Sequence, residues 1–214
     1  ATTSNIPVTA ANVAVKNILF VSAVLDNVAV FTVTGTALAT DLCIEDCEFR
    51  DGSTILTFLA IVAGNATANN LSGLRFERNR VHSLAASASQ VVVTLGAACS
   101  RVSILSNWVV TVGTNDTACL LNGSAGNQLS LEIGGNVVYS TVTSTDTQGA
   151  AVGSLGAACT GTAYYNYVWH RDVTGGTALW IDATTVLGLN QNYSPLTATA
   201  DKSSTISPAY GPAV

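Results

Sequence analysis

The feature that most constrains this chain is an internal repeat of roughly 30 residues. Six segments share an alternation of apolar and polar residues, and each segment reaches an anchor position that is usually asparagine. Successive anchors are separated by 26 to 32 residues. Periods of this length are typical of solenoids, in which each repeat packs only against its neighbours. The anchors are Cys47, Asn79, Asn107, Asn136, Asn166 and Asn192.

Alignment on the anchor arranges the repeats in columns. The position three residues before the anchor is apolar in every repeat, and its flanking positions alternate between apolar and mostly polar residues. Alternation with a period of two predicts a strand with one buried face, and the change of phase at the anchor predicts a corner. A second strand recurs in each repeat, beginning with residues 55–62, and the tract LGAAC occurs at both 95–99 and 155–159.

These columns predict an all-β fold, namely a right-handed parallel β-helix of about six to seven coils. Like residues would then lie above one another in successive coils, and the anchors would form an asparagine ladder. Asparagine suits a buried corner because it both donates and accepts hydrogen bonds and tolerates left-handed backbone angles. The handedness follows the general rule for parallel crossovers. The alternative is a β-sandwich whose turns contain asparagine by coincidence.

We expect one domain over residues 1–214. Residues 1–41 would form a starting coil or cap, residues 42–194 the regular coils, and residues 195–214 an extended tail over the last coil. No signal peptide is recognisable at the N-terminus, and no apolar run approaches the ~18 residues of a membrane span. The net charge of −5 and the eight lysines and arginines argue against nucleic acid as a partner.

Cysteine and histidine provide no sign of a metal or cofactor site. The five cysteines are odd in number, and Cys43 and Cys47 would lie about 13 Å apart on one strand, too far for a disulfide. We therefore expect free thiols packed in the interior, and neither a metal nor another cofactor.

Two neighbouring repeats carry most of the clustered charge. The register predicts that Asp46 faces Arg78, that Glu48 faces Arg80 and that Glu45 stacks on Glu77. A structural charge ladder is the favoured interpretation. Two carboxylates about 5 Å apart would also suit a retaining glycosidase, which makes Glu45, Asp46 and Glu77 the candidate catalytic residues. A patch that binds a partner is the third possibility.

Outward-facing aromatic and aliphatic residues form the second candidate site. Such an exposed apolar stripe marks a subunit interface or a platform for sugars. Packing between subunits is favoured, with carbohydrate stacking and cover by the chain's own tail as alternatives. The candidate residues are Trp108, Val110, Tyr139, Tyr167, Trp169 and Tyr193.

Over residues 42–194, the asparagine-anchored coils resemble the pectate-lyase-like right-handed β-helix superfamily. That superfamily contains polysaccharide lyases and hydrolases as well as bacteriophage tailspikes and other virion proteins. Residues 200–208 (ADKSSTISP) are similar to the C-termini of β-helical proteins of environmental tailed phages.

The resemblance implies a non-enzymatic virion protein, assembled in the host cytoplasm, that decorates or cements a capsid or forms part of a tail fibre. Its partners would be itself, as a homotrimer, and other virion proteins, with a surface glycan as a further possibility. The alternatives are a polysaccharide-degrading enzyme acting through the acidic candidates and a carbohydrate-binding adhesin.

Overall fold

The computed structural model describes residues 5–25, 27–83, 91–111, 120–123, 125–140, 153–155, 159–170 and 186–190. Positions 111, 140, 153–155, 168–170 and 186–190 are described by their backbone alone. In chain order, the strands of this part are β1 (Ile6–Val8), β2 (Ala14–Lys16), β3 (Leu19–Val21), β4 (Phe31–Val33), β5 (Cys43–Glu45), β6 (Glu48–Arg50), β7 (Ala60–Ala63), β8 (Arg75–Glu77), β9 (Arg80–His82), β10 (Val91–Thr94), β11 (Ser103–Leu105), β12 (Trp108–Thr111), β13 (Leu121–Gly123), β14 (Leu131–Gly134), β15 (Val137–Ser140), β16 (Gly153–Leu155), β17 (Thr160–Tyr164), β18 (Tyr167–His170) and β19 (Val186–Asn190).

These strands form three parallel sheets, and the chain visits the sheets in turn. The first sheet has the order β1-β4-β7-β10-β13-β16, the second β2-β5-β8-β11-β14-β17-β19, and the third β3-β6-β9-β12-β15-β18. Every neighbouring pair is parallel and joins strands from successive coils. The predicted all-β parallel solenoid is therefore confirmed, and the alternative of a β-sandwich is wrong. The described residues contain no helix long and apolar enough to cross a membrane.

The interior consists of the apolar columns that the repeat predicts. In the second sheet, Ile44, Phe76, Ile104 and Ile133 follow one another in register. All four are fully buried, as are most members of the flanking columns. The flanking columns are Leu42, Leu74, Val102 and Leu131 before the second sheet, and Phe49, Val81, Val109 and Val138 within the third. Burial of these columns is the main driving force for the fold.

The corner between the second and third sheets is made by the residue just before the anchor. This residue has φ between 51° and 63° in six successive coils. The sequence interpretation assigned left-handed tolerance to the anchor asparagine itself, and this assignment is wrong. The anchor residue directs its side chain into the interior, whereas the residue before it adopts the left-handed backbone conformation. The left-handed residues are Asn17, Asp46, Arg78, Ser106, Gly135 and Tyr165.

The anchor asparagines form a buried ladder of hydrogen bonds along the solenoid axis. The Oδ1 atom of Asn107 accepts from the backbone N–H of Asn79 at 2.9 Å, and Asn136 does the same for Asn107 at 3.0 Å. Each Nδ2 atom donates to a carbonyl of the preceding coil, as Asn107 does to Phe76 at 2.9 Å. Asn166 continues the row beneath Asn136. Asn192 lies outside the described residues.

A second buried polar column occupies the corner between the first and second sheets. Gln128 accepts from the N–H of Cys99 at 2.8 Å, and its own N–H donates to Cys159 at 3.2 Å. The thiol of Cys99 donates to Asn70 at 3.2 Å. The repeated LGAAC tract therefore marks two rungs of this column. The cysteines that the structure describes, Cys43, Cys47, Cys99 and Cys159, are buried and free, whereas Cys119 lies outside the described residues.

The second strand of the repeat is shorter than its apolar sequence predicts. The apolar run at 55–62 becomes a strand only at β7, because residues 52–57 form a loop. In that loop, Ser53 Oγ accepts hydrogen bonds from the backbone N–H groups of Ile55 and Leu56. Ile55 is consequently exposed to solvent.

Candidate functional site

The acidic candidates lie on the outer surface near the N-terminal end, where three coils contribute to one charged cluster. Register places Lys16 beside Glu45 and Glu45 beside Glu77 on β2, β5 and β8. The left-handed corner residues Asp46 and Arg78 lie immediately after these strands. Together with Arg75, the cluster contains three cations and three carboxylates, so its formal charges cancel.

Glu45 is the centre of the charged cluster, and its side chain is 5% exposed. Its Oε1 atom accepts from the Cys43 thiol at 2.7 Å and contacts Arg75 Nη2. Its Oε2 atom lies 3.0 Å from Lys16 Nζ and 3.1 Å from Arg78 Nη2. Both carboxylate oxygens are therefore already engaged by groups of this chain.

The two other carboxylates of the cluster are held by the same arginines. The carboxylate of Asp46 accepts hydrogen bonds from both Nε and Nη2 of Arg78, each at 2.9 Å. Glu77 lies 3.3 Å from Arg75 Nε and 3.4 Å from Arg78 Nη1. The stacking of Glu45 on Glu77 is thus bridged by two guanidinium groups, which removes the like-charge repulsion.

This environment keeps Glu45 ionised. Hydrogen bonds from Cys43 and Lys16 lower the pKa of Glu45 from 4.5 to about 2. Burial, together with the bond to Glu45, raises the pKa of the Cys43 thiol to about 11. A general acid must be protonated near the working pH, and the second carboxylate of a glycosidase must face a substrate. Glu45 meets neither requirement, whereas the cluster suits a structural role.

The predicted pairing of Glu48 with Arg80 is only partly realised. Their backbones are in register on β6 and β9. The Glu48 carboxylate, however, contacts Arg50 Nε on its own strand at 2.5 Å. The repeat register determines which backbone segments are neighbours. A long side chain, however, can reach an ionic partner two residues away on its own strand.

Beyond its apolar first coil, the outer face of the third sheet divides into a charged half and an uncharged half. Two columns of residues in register run along this sheet through successive coils, and their described side chains face outward. The charged positions belong to the second and third coils, and every later position is apolar or aromatic. The columns are Leu19, Glu48, Arg80, Trp108, Val137 and Tyr167, and Val21, Arg50, His82, Val110, Tyr139 and Trp169.

The uncharged half is partly exposed to solvent. Its members with described side chains are Trp108, Val110, Val137, Tyr139 and Tyr167. Trp108 is 56% exposed, Tyr139 37% and Tyr167 39%. Val110 and Val137 are half-buried. For Trp169 only the backbone is described, in register with Tyr139. Tyr193 lies outside the described residues. We call the five residues above the aromatic face.

Sequence reasoning missed Tyr165, which lies at the corner beside the aromatic face. It is 57% exposed, and its ring meets that of Tyr164 edge-on at 5.7 Å. Tyr164 in turn donates to Glu132 at 2.6 Å. The sequence feature that could have identified Tyr165 is its position just before an anchor asparagine. At that position the left-handed corner directs the side chain outward.

Among the described residues, no group of three or more His, Cys, Asp or Glu side chains is arranged to hold a metal ion. No protein-family model, curated protein or solved structure matches the chain in sequence or fold.

Proposed function

We propose that the chain is a non-enzymatic structural protein that associates with copies of itself through the aromatic face, as a homotrimer. Its setting would be the virion of a tailed bacteriophage, assembled in the host cytoplasm, as a capsid decoration or cement protein or as a tail-fibre component. The resemblance to phage proteins of the right-handed, pectate-lyase-like superfamily supports this setting.

The aromatic face is the observation that carries the proposal. A tryptophan, two tyrosines and two valines lie contiguously on a rigid sheet without an intervening charge. Contiguous exposed apolar surface on a soluble protein marks an interaction site, and tryptophan and tyrosine are enriched where binding energy concentrates. Parallel strands hold these side chains at intervals of about 4.8 Å, so the surface needs little ordering when a partner binds.

The second candidate is an adhesin that binds a glycan. The exposed rings of Trp108, Tyr165 and Tyr167 favour it, because flat aromatic surfaces stack on the apolar faces of sugars. A polysaccharide lyase or hydrolase is less well supported. Its acidic candidates, Glu45, Asp46 and Glu77, are all held by cations of the charged cluster.

The test is the oligomeric state of the full chain by sedimentation velocity. We expect trimers that dissociate when Trp108 is replaced by glutamate, while circular dichroism remains unchanged. Leu129→Glu, at a comparably exposed site away from the face, is the matched control and should leave the trimer intact.

Two results would overturn the proposal. One is a monomer at every concentration together with glycan binding that Trp108→Ala abolishes, which would favour the adhesin. The other is glycan cleavage that Glu45→Gln or Glu77→Gln removes. Imaging of the native assembly would then decide between capsid and tail.

A further inference from the structure

In the later coils, the corner between the second and third sheets carries two neighbouring tyrosines and an acidic residue. Tyr164 ends β17 and is half-buried, whereas Tyr165 follows it at the left-handed corner and is 57% exposed. Glu132 lies one coil earlier on β14, and its side chain is half-buried on the outer face of the second sheet. We call these three residues the tyrosine corner.

A glycine determines how the ring of Tyr164 lies. Gly134 is in register with Tyr164 on the neighbouring strand. A Cβ atom at Gly134 would lie 2.5 Å from Cζ of Tyr164, so the ring occupies the space above this glycine. The hydroxyl of Tyr164 thereby reaches Glu132 and donates to Oε1 at 2.6 Å. The ring and the carboxylate therefore hold each other in place across two coils.

Tyr165 provides a second aromatic surface at right angles to the first. The two ring planes meet at 88°, with centroids 5.7 Å apart. The backbone after Tyr165 is fixed, because Asn166 bonds to the preceding coil through both Oδ1 and Nδ2. The angle between the two rings is consequently formed before any ligand enters, which lowers the entropy cost of binding.

Glu132 differs from the acidic residues of the charged cluster in its partners. The three carboxylates of that cluster are all paired with arginine or lysine. The Glu132 carboxylate is bonded through Oε1 to the uncharged hydroxyl of Tyr164, and among the described residues no cation pairs with it. The tyrosine corner therefore combines two ring faces with one unbalanced negative charge.

This combination is complementary to an organic cation. The face of an aromatic ring attracts a cation whose centre lies within about 6 Å of the ring centroid. Since the two centroids are 5.7 Å apart and the planes are perpendicular, one ammonium group can lie within that distance of both rings. Phosphates and acidic peptides would instead be repelled by Glu132.

We propose that the tyrosine corner binds a quaternary ammonium group of the choline type. The methyl groups of the ligand pack against the rings of Tyr164 and Tyr165, and Glu132 balances its positive charge. A quaternary ammonium group donates no hydrogen bonds, so a site made of ring faces has none to replace. The site goes beyond the proposed self-association, because Tyr164 and Glu132 lie on the second sheet and Tyr165 is not part of the aromatic face.

The test is calorimetric titration of the full chain with choline chloride. We expect a dissociation constant in the millimolar range, because the site is shallow and the ligand is small. Tyr165→Ala should weaken binding about fivefold to tenfold through loss of one ring face, whereas Tyr165→Phe should retain it. Glu132→Gln should weaken binding by a smaller factor, since it removes the charge and keeps the shape.

Two controls separate this contact from general stickiness of exposed rings. Tyr139→Ala, at a tyrosine 37% exposed on the aromatic face, should leave choline binding unchanged. Dimethylbutanol, in which carbon replaces the nitrogen of choline, has the same shape without the charge and should bind much more weakly. Co-sedimentation with phosphatidylcholine vesicles then distinguishes a lipid headgroup from a soluble choline compound as the source of the ammonium group.

Three results would overturn the proposal. They are no heat of binding with choline, equal affinity for choline and dimethylbutanol, and choline binding that Tyr165→Ala leaves unchanged. Equal affinity would assign the corner to neutral ligands such as sugars. Because Tyr165→Ala should leave the trimer intact in sedimentation velocity, failure of this site and failure of the proposed self-association are distinguishable.

Discussion

Removal of one rung from the asparagine ladder is the most direct test of what holds the coils together. Asn107 is 1% exposed, and its side chain bonds to both neighbouring coils. Replacement by alanine removes the acceptor for the buried N–H of Asn79 and the donor to the carbonyl of Phe76. The replacement also removes the hydrogen bond from Nδ2 of Asn107 to Oδ1 of Asn136. Oδ1 of Asn136 still accepts from the backbone N–H of residue 107 at 3.0 Å.

The magnitude follows from the groups left without a partner. A buried polar group without its partner costs about 1–3 kcal/mol. Asn107→Ala leaves two such groups, the N–H of Asn79 and the carbonyl of Phe76. Alanine also leaves a small polar cavity, into which a water molecule could partly restore these bonds. We therefore expect a loss of roughly 3 kcal/mol, which for a chain of this length lowers Tm by about 6–12 °C.

The assay is urea unfolding followed by circular dichroism, with thermal melting as a second measure. The control is Ser103→Ala, a half-buried outward position on the neighbouring strand of the same coil. It should change stability by less than about 0.5 kcal/mol. Equal losses for Asn107→Ala and Ser103→Ala would show that the ladder does not stabilise the corner, and the reasoning from buried hydrogen bonds would be wrong.

Three further predictions concern single positions. The pKa of Glu45 in the folded protein is about 2, below its ordinary value of 4.5. The ionised carboxylate of Glu45 therefore stabilises the folded protein fully above pH 4.5, and this stabilisation is lost as the pH falls to about 2. Glu45→Gln should therefore cost roughly 1–2 kcal/mol at pH 7, after screening by water, and almost nothing at pH 2 in urea unfolding. Cys47→Asn should add a rung to the ladder and raise the free energy of unfolding by about 0.5–1.5 kcal/mol. Gly161→Ala should prevent close stacking, since φ is 140° and its Cβ would overlap the carbonyl of Leu131. In thermal melting it should lower Tm by more than Gly35→Ala does. Gly35 also has a left-handed φ, of 59°, but open space around it, so its alanine variant should lose only the roughly 1–2 kcal/mol of that backbone conformation.

The sequence predicted the coils because their columns are set by short-range alternation and by burial. Ile44, Phe76 and Ile104 occupy one column in the sequence alignment and one buried row in the structure. The ladder was predictable for a related reason. A buried corner needs a side chain that both donates and accepts, and only a few residue types can do so.

The partners of long charged side chains were not predictable in the same way. Register correctly placed Asp46 beside Arg78, but it did not indicate that Arg78 also reaches Glu45 and Glu77. An arginine spans the distance to several neighbours, and its choice depends on local electrostatics rather than on repeat position. The interpretation of Glu45 as a catalytic candidate depended on this missing information.

Burial of the anchor side chain separates the coils that carry asparagine from the first coil. Each described anchor asparagine donates from Nδ2 to a carbonyl of the coil before it, as Asn79 does to Ile44 at 2.8 Å. All four of these asparagines are buried, so each amide needs such partners inside the protein. Ile18, at the corresponding position of the first coil, is 44% exposed, and a side chain in contact with water has no such requirement. The thiol of Cys47 in the second coil is buried and reaches the carbonyl of Val15 at 3.7 Å. The asparagine motif is therefore found where the corner is buried and the amide must satisfy both neighbouring coils.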